Sequence, residues 1–97
     1  MEGVYAEALD VELSLHAIPF VTESELQVDY RGSPLKQTFR ADVVCFSKII
    51  VELKATDRLI DEHRAQLFNY LSATQFRLGL LINFGHKEKL EWERIAR

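Results

Sequence analysis

The stretch RADVVCFSKIIVELKATD, residues 40–57, carries acids and a lysine inside runs that are otherwise largely apolar. Asp42 lies in the first run, and Glu52 and Lys54 lie in the second. Strands that build a core rarely carry charges, because a buried charge is costly unless it is paired or binds an ion. Two carboxylates can hold a hard cation such as Mg²⁺, and a nearby ammonium group can stabilise negative charge. This chemistry requires the backbone to bring the three side chains together.

The polar break at residues 46–48 predicts a hairpin, and the length of its loop decides which residues face each other. With a two-residue loop, Phe46 would pair with Ile49, and both faces would mix charged and apolar side chains. With a three-residue loop, Cys45 pairs with Ile49 and the faces separate, so we expect this register. The apolar face would contain Phe39, Ala41, Val43 and Cys45 opposite Ile49, Val51, Leu53 and Ala55, and the polar face Arg40, Asp42 and Val44 opposite Ile50, Glu52 and Lys54.

In this register Asp42 lies opposite Glu52, and Lys54 projects from the same face because it is two residues further along the strand. Facing carboxylates repel each other unless one is protonated or a divalent cation lies between them. Two acids and a lysine on one face of a hairpin are suited to metal-assisted hydrolysis of a phosphodiester, with the lysine stabilising charge or orienting water. The alternative is a surface ion-pair network in which Arg40 and Lys54 neutralise the two acids.

The N-terminal part of the chain predicts two elements that position this hairpin. Residues 2–17 have a helical period that ends at Ile18-Pro19, since the residue before a proline disfavours the helical region. The segment ELQVDY (25–30) alternates as a strand does, and RGSP (31–34) predicts a turn. The helix has two adjacent apolar stripes, one of Val4, Ala8, Val11 and Leu15 and the other of Tyr5, Leu9 and Leu13.

The C-terminal part predicts a second helix and a further strand. The helix extends from about Asp61 to Gln75, and the apolar run LGLLINFG (78–85) is typical of a strand covered on both faces. The segment KLEWERI (89–95) fits either a last edge strand or a helical tail. The resulting order, α-β-β-β-α-β(-β), predicts a mixed sheet flanked by helices, in the α/β or α+β class.

Composition predicts one globular domain over residues 1–97, with 47% hydrophobic and 28% charged residues. No apolar run is long enough for a transmembrane helix, and the single Cys45 is consistent with a buried hydrophobe in a reducing cytoplasm. The net charge of −3 argues against mainly electrostatic binding to nucleic acid. However, residues 31–97 hold all twelve bases and eight acids, so a mildly basic side could contact a polyanion.

Asp42, nine intervening residues and then ELK at 52–54 resemble the D…(D/E)xK core of the PD-(D/E)XK nuclease superfamily. The predicted order of elements resembles the restriction-endonuclease-like core of that superfamily. The wider chain resembles the bacterial GxxExxY family within it, although Ala41 replaces the proline of the motif. The matching segments are EGVYAEAL (2–9), RADVV (40–44), IIVELKA (49–55), AQLFNYL (65–71) and LGLLINFG (78–85).

The resemblance implies a role for each residue that matches a motif. Asp42 and Glu52 would be metal-binding carboxylates for Mg²⁺ or Mn²⁺, and Lys54 would be the catalytic lysine. Glu2 matches the glutamate of the ExxY segment, which would join the metal site. The chain starts at Met1-Glu2, without the longer N-terminal helix of usual family sequences, so we expect a short family member or a fragment with Glu2 in the first helical turn.

Two further residues match a QxxxY pair found on the second helix of some superfamily members. Gln66 and Tyr70 are four residues apart, so they share one helical face and could both reach the site. The resulting expectation is a metal-dependent nuclease acting on DNA or RNA, with no membrane association. The alternatives are a weak or inactive nuclease-fold module that binds nucleic acid or a protein, and a subunit that works only as a homodimer.

Overall fold

The computed structural model describes residues 2–97, with side chains described from residue 3 onward. Its elements are helix α1 (Glu2–Leu15), strands β1 (Phe20–Tyr30), β2 (Ser33–Cys45) and β3 (Ile49–Lys54), helix α2 (Asp61–Thr74) and strands β4 (Leu78–Asn83) and β5 (Glu91–Ala96). The predicted order is confirmed, and the segment KLEWERI contains an edge strand, not a helical tail. Among the described residues, no helix has both the length and the hydropathy of a membrane-spanning segment.

The five strands form one mixed sheet in the order β1-β2-β3-β4-β5. β3 and β4 are parallel, and the other neighbouring pairs are antiparallel. A parallel pair needs a crossover connection, which α2 provides between β3 and β4. The predicted fold class, a mixed sheet with flanking helices, is therefore confirmed.

The two helices cover opposite faces of the sheet, and each face has its own hydrophobic cluster. On the α1 face, the half-buried residues Ala6, Leu9 and Leu13 pack against Val43, Cys45, Val51 and Leu53. On the α2 face, the buried cluster consists of Ala41, Val44, Ile50, Leu59, Leu67, Leu71 and Leu81. The central strands are thus covered on both sides, as a continuous apolar run such as LGLLI requires.

Only one of the two predicted apolar stripes of α1 faces the sheet. Leu9 and Leu13 pack on it, and the Tyr5 ring stacks on that of Phe84 with 4.7 Å between the ring centroids. Val4, Val11 and Leu15 of the other stripe are exposed. Left-handed Ala17 (φ 55°) ends the helix. The next residue, Ile18, donates its backbone N–H to the Leu13 carbonyl at 2.9 Å, a Schellman-type end just before Pro19.

Helix α2 is held close to β4 and has a fixed start. A Cβ atom on Gly79 would lie 2.9 Å from Leu67 Cδ2, so a larger residue at this position would require the buried Leu67 side chain to shift. The backbone N–H of Ile60 donates to His63 Nδ1 at 3.1 Å, which closes the first turn. The helix ends at Gln75, whose φ of 69° is left-handed.

The β2–β3 hairpin has the predicted three-residue loop. Cys45 pairs with Ile49 and Val43 with Val51, so the register prediction is confirmed. Phe46 and Ser47 both have a φ of 55°, and Lys48 N–H donates to the Cys45 carbonyl at 3.0 Å. Continuing this register places Asp42 opposite Glu52.

The predicted single apolar face of β2 is wrong for Phe39 and Ala41. Both pack on the α2 face with Val44, whereas Val43 lies in the cluster on the α1 face. The alternation of β2 is therefore interrupted at Asp42. Its neighbour on β1 at this level is Glu23, whose left-handed φ of 48° breaks the alternation of that strand as well. Asp42 thus lies at the point where β2 changes faces, while the register between β1 and β2 is the same on both sides of it.

Candidate active site

Reciprocal hydrogen bonds fix the two acids of the hairpin. Asp42 N–H donates to Glu52 Oε2 at 3.0 Å, and Leu53 N–H donates to Asp42 Oδ2 at 2.8 Å. Each carboxylate therefore binds the backbone of the opposite strand, next to the last backbone-paired residues Val43 and Val51. These bonds orient both carboxylates at the irregularity of β2.

Glu52 is the more buried of the two acids, with 8% of its surface exposed, and Asp42 is half-buried. A carboxylate in such a position loses hydration and needs compensating donors or a cation. The backbone N–H groups provide part of this compensation, an arrangement that sequence reasoning did not foresee. Arg40, one of the bases assigned to an alternative ion-pair network, lies 3.6 Å from Glu25 on β1.

Lys54 connects the sheet to helix α2. It is the last residue of β3, and its Nζ donates to Gln66 Oε1 at 3.4 Å. This is a long hydrogen bond and therefore a weak one. It nevertheless directs the ammonium group towards the space between the hairpin and the helix.

Tyr70 lies one helical turn beyond Gln66, and its ring stacks on Phe39. The ring centroids are 3.8 Å apart, and the rings are inclined by 19°. Phe39 can reach this position only because the break at Asp42 turns it to the α2 face. The position of Phe39 on the α2 face thus explains the stacking contact that holds the Tyr70 ring.

These residues line one open cleft of about 660 Å³ between the β1–β2–β3 side of the sheet and α2. All five residues proposed as catalytic from the sequence border it, namely Asp42, Glu52, Lys54, Gln66 and Tyr70. The remaining wall is formed by Val28, Thr38, Phe39, Arg40, Leu53, Asn69 and Ala73. The fold therefore brings together two carboxylates, an ammonium group, an amide and an aromatic pair.

Residues 1–95 match the profile of the PD-(D/E)XK nuclease superfamily. The chain belongs to this superfamily. No curated protein shows significant sequence similarity to it.

Two solved structures share the PD-(D/E)XK fold of this chain. SSO0001 is 21% identical with a TM-score of 0.75, and the match covers 98% of this chain and 49% of that one. The alkaline exonuclease LHK-Exo from Laribacter hongkongensis is 11% identical with a TM-score of 0.64, and coverage is 98% and 55%. The chain spans about half the length of both proteins. At these identities the likeness is one of fold.

The donor set on the cleft fits a small hard cation. Nucleases of the PD-(D/E)XK superfamily are generally dependent on divalent metal ions. Asp42 and Glu52 offer only oxygen ligands, and Mg²⁺ typically binds through one or two carboxylates, water and substrate phosphate. A carboxylate has about four acceptor positions, so a backbone hydrogen bond and a metal bond are compatible on one group. Within the described residues, no group of three or more His, Cys, Asp or Glu side chains is arranged to hold a metal.

The third metal ligand suggested by the sequence, Glu2, has a side chain outside the described residues. Two other acids of α1, Glu7 and Asp10, line a smaller cavity that Asp42 and Glu23 also border. Asp10 Oδ1 is buried without a hydrogen-bond partner among residues 2–97. Burial, and then the charge of Glu7, raises the pKa of the Asp10 carboxyl. Sequence reasoning missed Asp10, although its position beside Leu9 on the sheet-facing stripe is the signal that could have identified it.

Proposed function

We propose that this domain is a divalent-metal-dependent nuclease of the GxxExxY family that hydrolyses phosphodiester bonds in DNA or RNA. The observation that supports it is the convergence of Asp42, Glu52 and Lys54 on one cleft with Gln66 and Tyr70. The superfamily to which the chain belongs, and the exonuclease with the same fold, support a nucleic-acid substrate.

Asp42 and Glu52 would hold Mg²⁺ or Mn²⁺ through carboxylate oxygens that are already oriented by Leu53 N–H and Asp42 N–H. Such a cation, when bound, would polarise a phosphate oxygen and lower the pKa of a water molecule bound to it. The near-complete burial of Glu52 keeps bulk water away from its carboxylate. A charge in such surroundings interacts more strongly with a ligand than it would in water.

Lys54 would stabilise the negative charge that develops on the phosphate during cleavage. Gln66 Oε1 accepts a hydrogen bond from its ammonium group and so acts as a positioning residue. Tyr70 and Phe39 present a stacked aromatic pair on the same cleft, and aromatic rings of this kind can stack on a nucleobase.

A nuclease-fold module that binds nucleic acid or a protein without cleaving is the second candidate. It is favoured by the hydrogen bonds of Asp42 and Glu52 to the backbone, which give both carboxylates a structural role in the absence of a metal.

A homodimer would place two such clefts on one substrate. Sedimentation of the protein with and without an oligonucleotide distinguishes it from a monomer.

The metal site is tested with the double variant Asp42→Asn/Glu52→Gln, which removes both charges and retains oxygens that can accept the backbone hydrogen bonds. We expect Mn²⁺ affinity, measured by calorimetry, to fall by more than the roughly 10- to 100-fold that loss of an outer-shell partner typically costs, because both direct ligands lose their charge. Equal Mn²⁺ affinity in the wild type and the double variant would contradict the metal role.

Catalysis is tested with Lys54→Met against the matched control Lys48→Met, which replaces an exposed lysine of the hairpin loop. Loss of a transition-state donor typically costs about 10²–10³ in kcat, and we expect this for Lys54→Met only. Cleavage of labelled DNA and RNA oligonucleotides measures it. Cleavage that survives Lys54→Met would argue against the proposed site, and Mn²⁺ and oligonucleotide binding without cleavage by the wild type would favour the binding module.

A further inference from the structure

Asn83, the last residue of β4, is the centre of a buried polar network beside the candidate site. The sheet pairs it with Lys54 on one side and with Glu91 on the other. Its side chain is fully buried. A buried amide of this kind must find hydrogen-bond partners, so its position in an apolar strand needs an explanation.

The amide of Asn83 has four hydrogen bonds. Oδ1 accepts from Thr56 N–H at 2.9 Å and Gly85 N–H at 3.0 Å. Nδ2 donates to the Thr56 carbonyl at 2.9 Å and to Glu91 Oε1 at 2.8 Å. The partners themselves fix the orientation of the amide, because two backbone donors face its oxygen and two acceptors face its nitrogen.

The segment held in this way is the connection from β3 to α2, residues 55–60. Glu91 Oε1 also accepts from Leu59 N–H at 3.0 Å, and Phe84 N–H donates to the Lys54 carbonyl at 2.9 Å. A Cβ atom on Gly85 would overlap the Thr56 backbone, so glycine is required where these two segments of the backbone touch. The connection is therefore bound at Thr56 by the last residue of β4 and at Leu59 by the first residue of β5, and Phe84 binds Lys54 directly before it.

This segment separates the two residues whose contact crosses the candidate site. Lys54 immediately precedes it and α2 begins at Asp61, with Gln66 in the second helical turn. The Lys54–Gln66 hydrogen bond of 3.4 Å is too weak to position the helix by itself. The relative placement of these two side chains must come from the backbone that joins them.

We infer that Asn83 is a positioning residue that sets Lys54 against Gln66 by fixing the backbone at Thr56. Its catalytic consequence rests on the proposed nuclease function, but the geometry itself does not. This role accounts for the presence of Asn83 and Gly85 in the otherwise apolar run LGLLINFG, which core packing alone does not explain. Small misplacements of catalytic groups have large effects, about 10²-fold in rate for 1 Å.

The test uses Asn83→Asp, which preserves the size of the side chain but replaces both donor positions with an acceptor beside Glu91. We expect the Hε–Cε NMR signals of Lys54 and the side-chain amide signals of Gln66 to shift. The kcat for oligonucleotide cleavage should fall about 10- to 100-fold, at a temperature where circular dichroism shows a folded protein. Leu13→Ala, which weakens the opposite face of the sheet, is the control and should change neither.

Two further variants separate positioning from a general loss of stability. In Asn83→Asp/Glu91→Gln, the new amide can donate to the new carboxylate, so the Lys54 and Gln66 signals should return towards those of the wild type. Gly85→Ala places a methyl group against the Thr56 backbone and should shift the Lys54 and Gln66 signals while residue 83 is still asparagine. If Asn83→Asp does not fold, the Lys54 and Gln66 signals of Gly85→Ala test whether the backbone at Thr56 positions these two side chains.

Unchanged Lys54 and Gln66 signals in folded Asn83→Asp, or in Gly85→Ala, would overturn the inference. So would an equal change in Leu13→Ala. If the wild type does not cleave nucleic acid, the nuclease proposal fails while the NMR comparison still decides the role of Asn83.

Discussion

The two faces of the sheet hold their helices by different means. Helix α1 is attached by a narrow apolar stripe, and Val11 on its other stripe is 54% exposed. Helix α2 buries Leu71 completely and is also tied to β5 by Arg64, which contacts Glu93 at 2.6 Å. Hydrophobic burial is not directional, whereas hydrogen bonds and ion pairs fix position. The helix that contributes Gln66 and Tyr70 to the cleft is the one held by directional contacts.

The largest expected effect concerns the apolar part of this comparison. Leu71→Ala should destabilise the protein by about 2–5 kcal/mol, the usual cost of emptying a fully buried leucine site. Leu13→Ala on the α1 face should cost less, because Leu13 is only half-buried. Leu15→Ala is the control, since this side chain is 73% exposed. Urea denaturation measures all three, and a cost for Leu13→Ala equal to that of Leu71→Ala would contradict the difference between the faces.

The next prediction concerns the polar part of the α2 face, where Glu91 has a lowered pKa. Its hydrogen bond from Asn83 is the main cause, and the hydrogen bond from Leu59 N–H and the charges of His86 and Arg64 contribute. A lowered pKa in the folded state means that Glu91 stabilises the protein above the ordinary glutamate pKa of about 4.3. This contribution is lost as the pH falls through the folded-state value.

Glu91→Gln should therefore lower the stability at neutral pH and reduce its loss between about pH 5 and pH 3. Thermal unfolding at a series of pH values measures this dependence. Glu88→Gln, at an exposed position of the same connection, serves as the control. A pH profile of Glu91→Gln parallel to that of the wild type would mean that Glu91 does not stabilise the α2 face through its charge.

The register of the β2–β3 hairpin could be predicted because a slip by one residue would have placed charged side chains such as Asp42 and Glu52 on the apolar face. The break in alternation at Asp42 could not be predicted, because nothing in the sequence indicates that Glu23 adopts a left-handed φ. Periodicity also found both stripes of α1 but could not decide between them, since both are apolar. The network of Asn83 was hidden for a different reason. Its partner Thr56 is 27 residues away in sequence, and only the fold brings the two together.

The smallest expected effect tests the α1 face, where Asp10 has the opposite behaviour to Glu91. Burial and the neighbouring Glu7 raise its pKa, so the ionised form is penalised in the folded protein. This penalty appears as the pH rises through the ordinary aspartate pKa of about 3.9 and persists at neutral pH.

Asp10→Asn should therefore stabilise the protein at pH 7, on the order of 0.5 kcal/mol, a small value because Asp10 is only partly buried. The gain should vanish below about pH 3.9, where the wild-type carboxyl is protonated in both states. Asp57→Asn, at an exposed position, is the matched control. Urea denaturation at pH 3 and pH 7 distinguishes the two variants. A loss of stability in Asp10→Asn at pH 7 would show that this carboxylate is held by favourable contacts, and that the α1 face also contains a polar attachment.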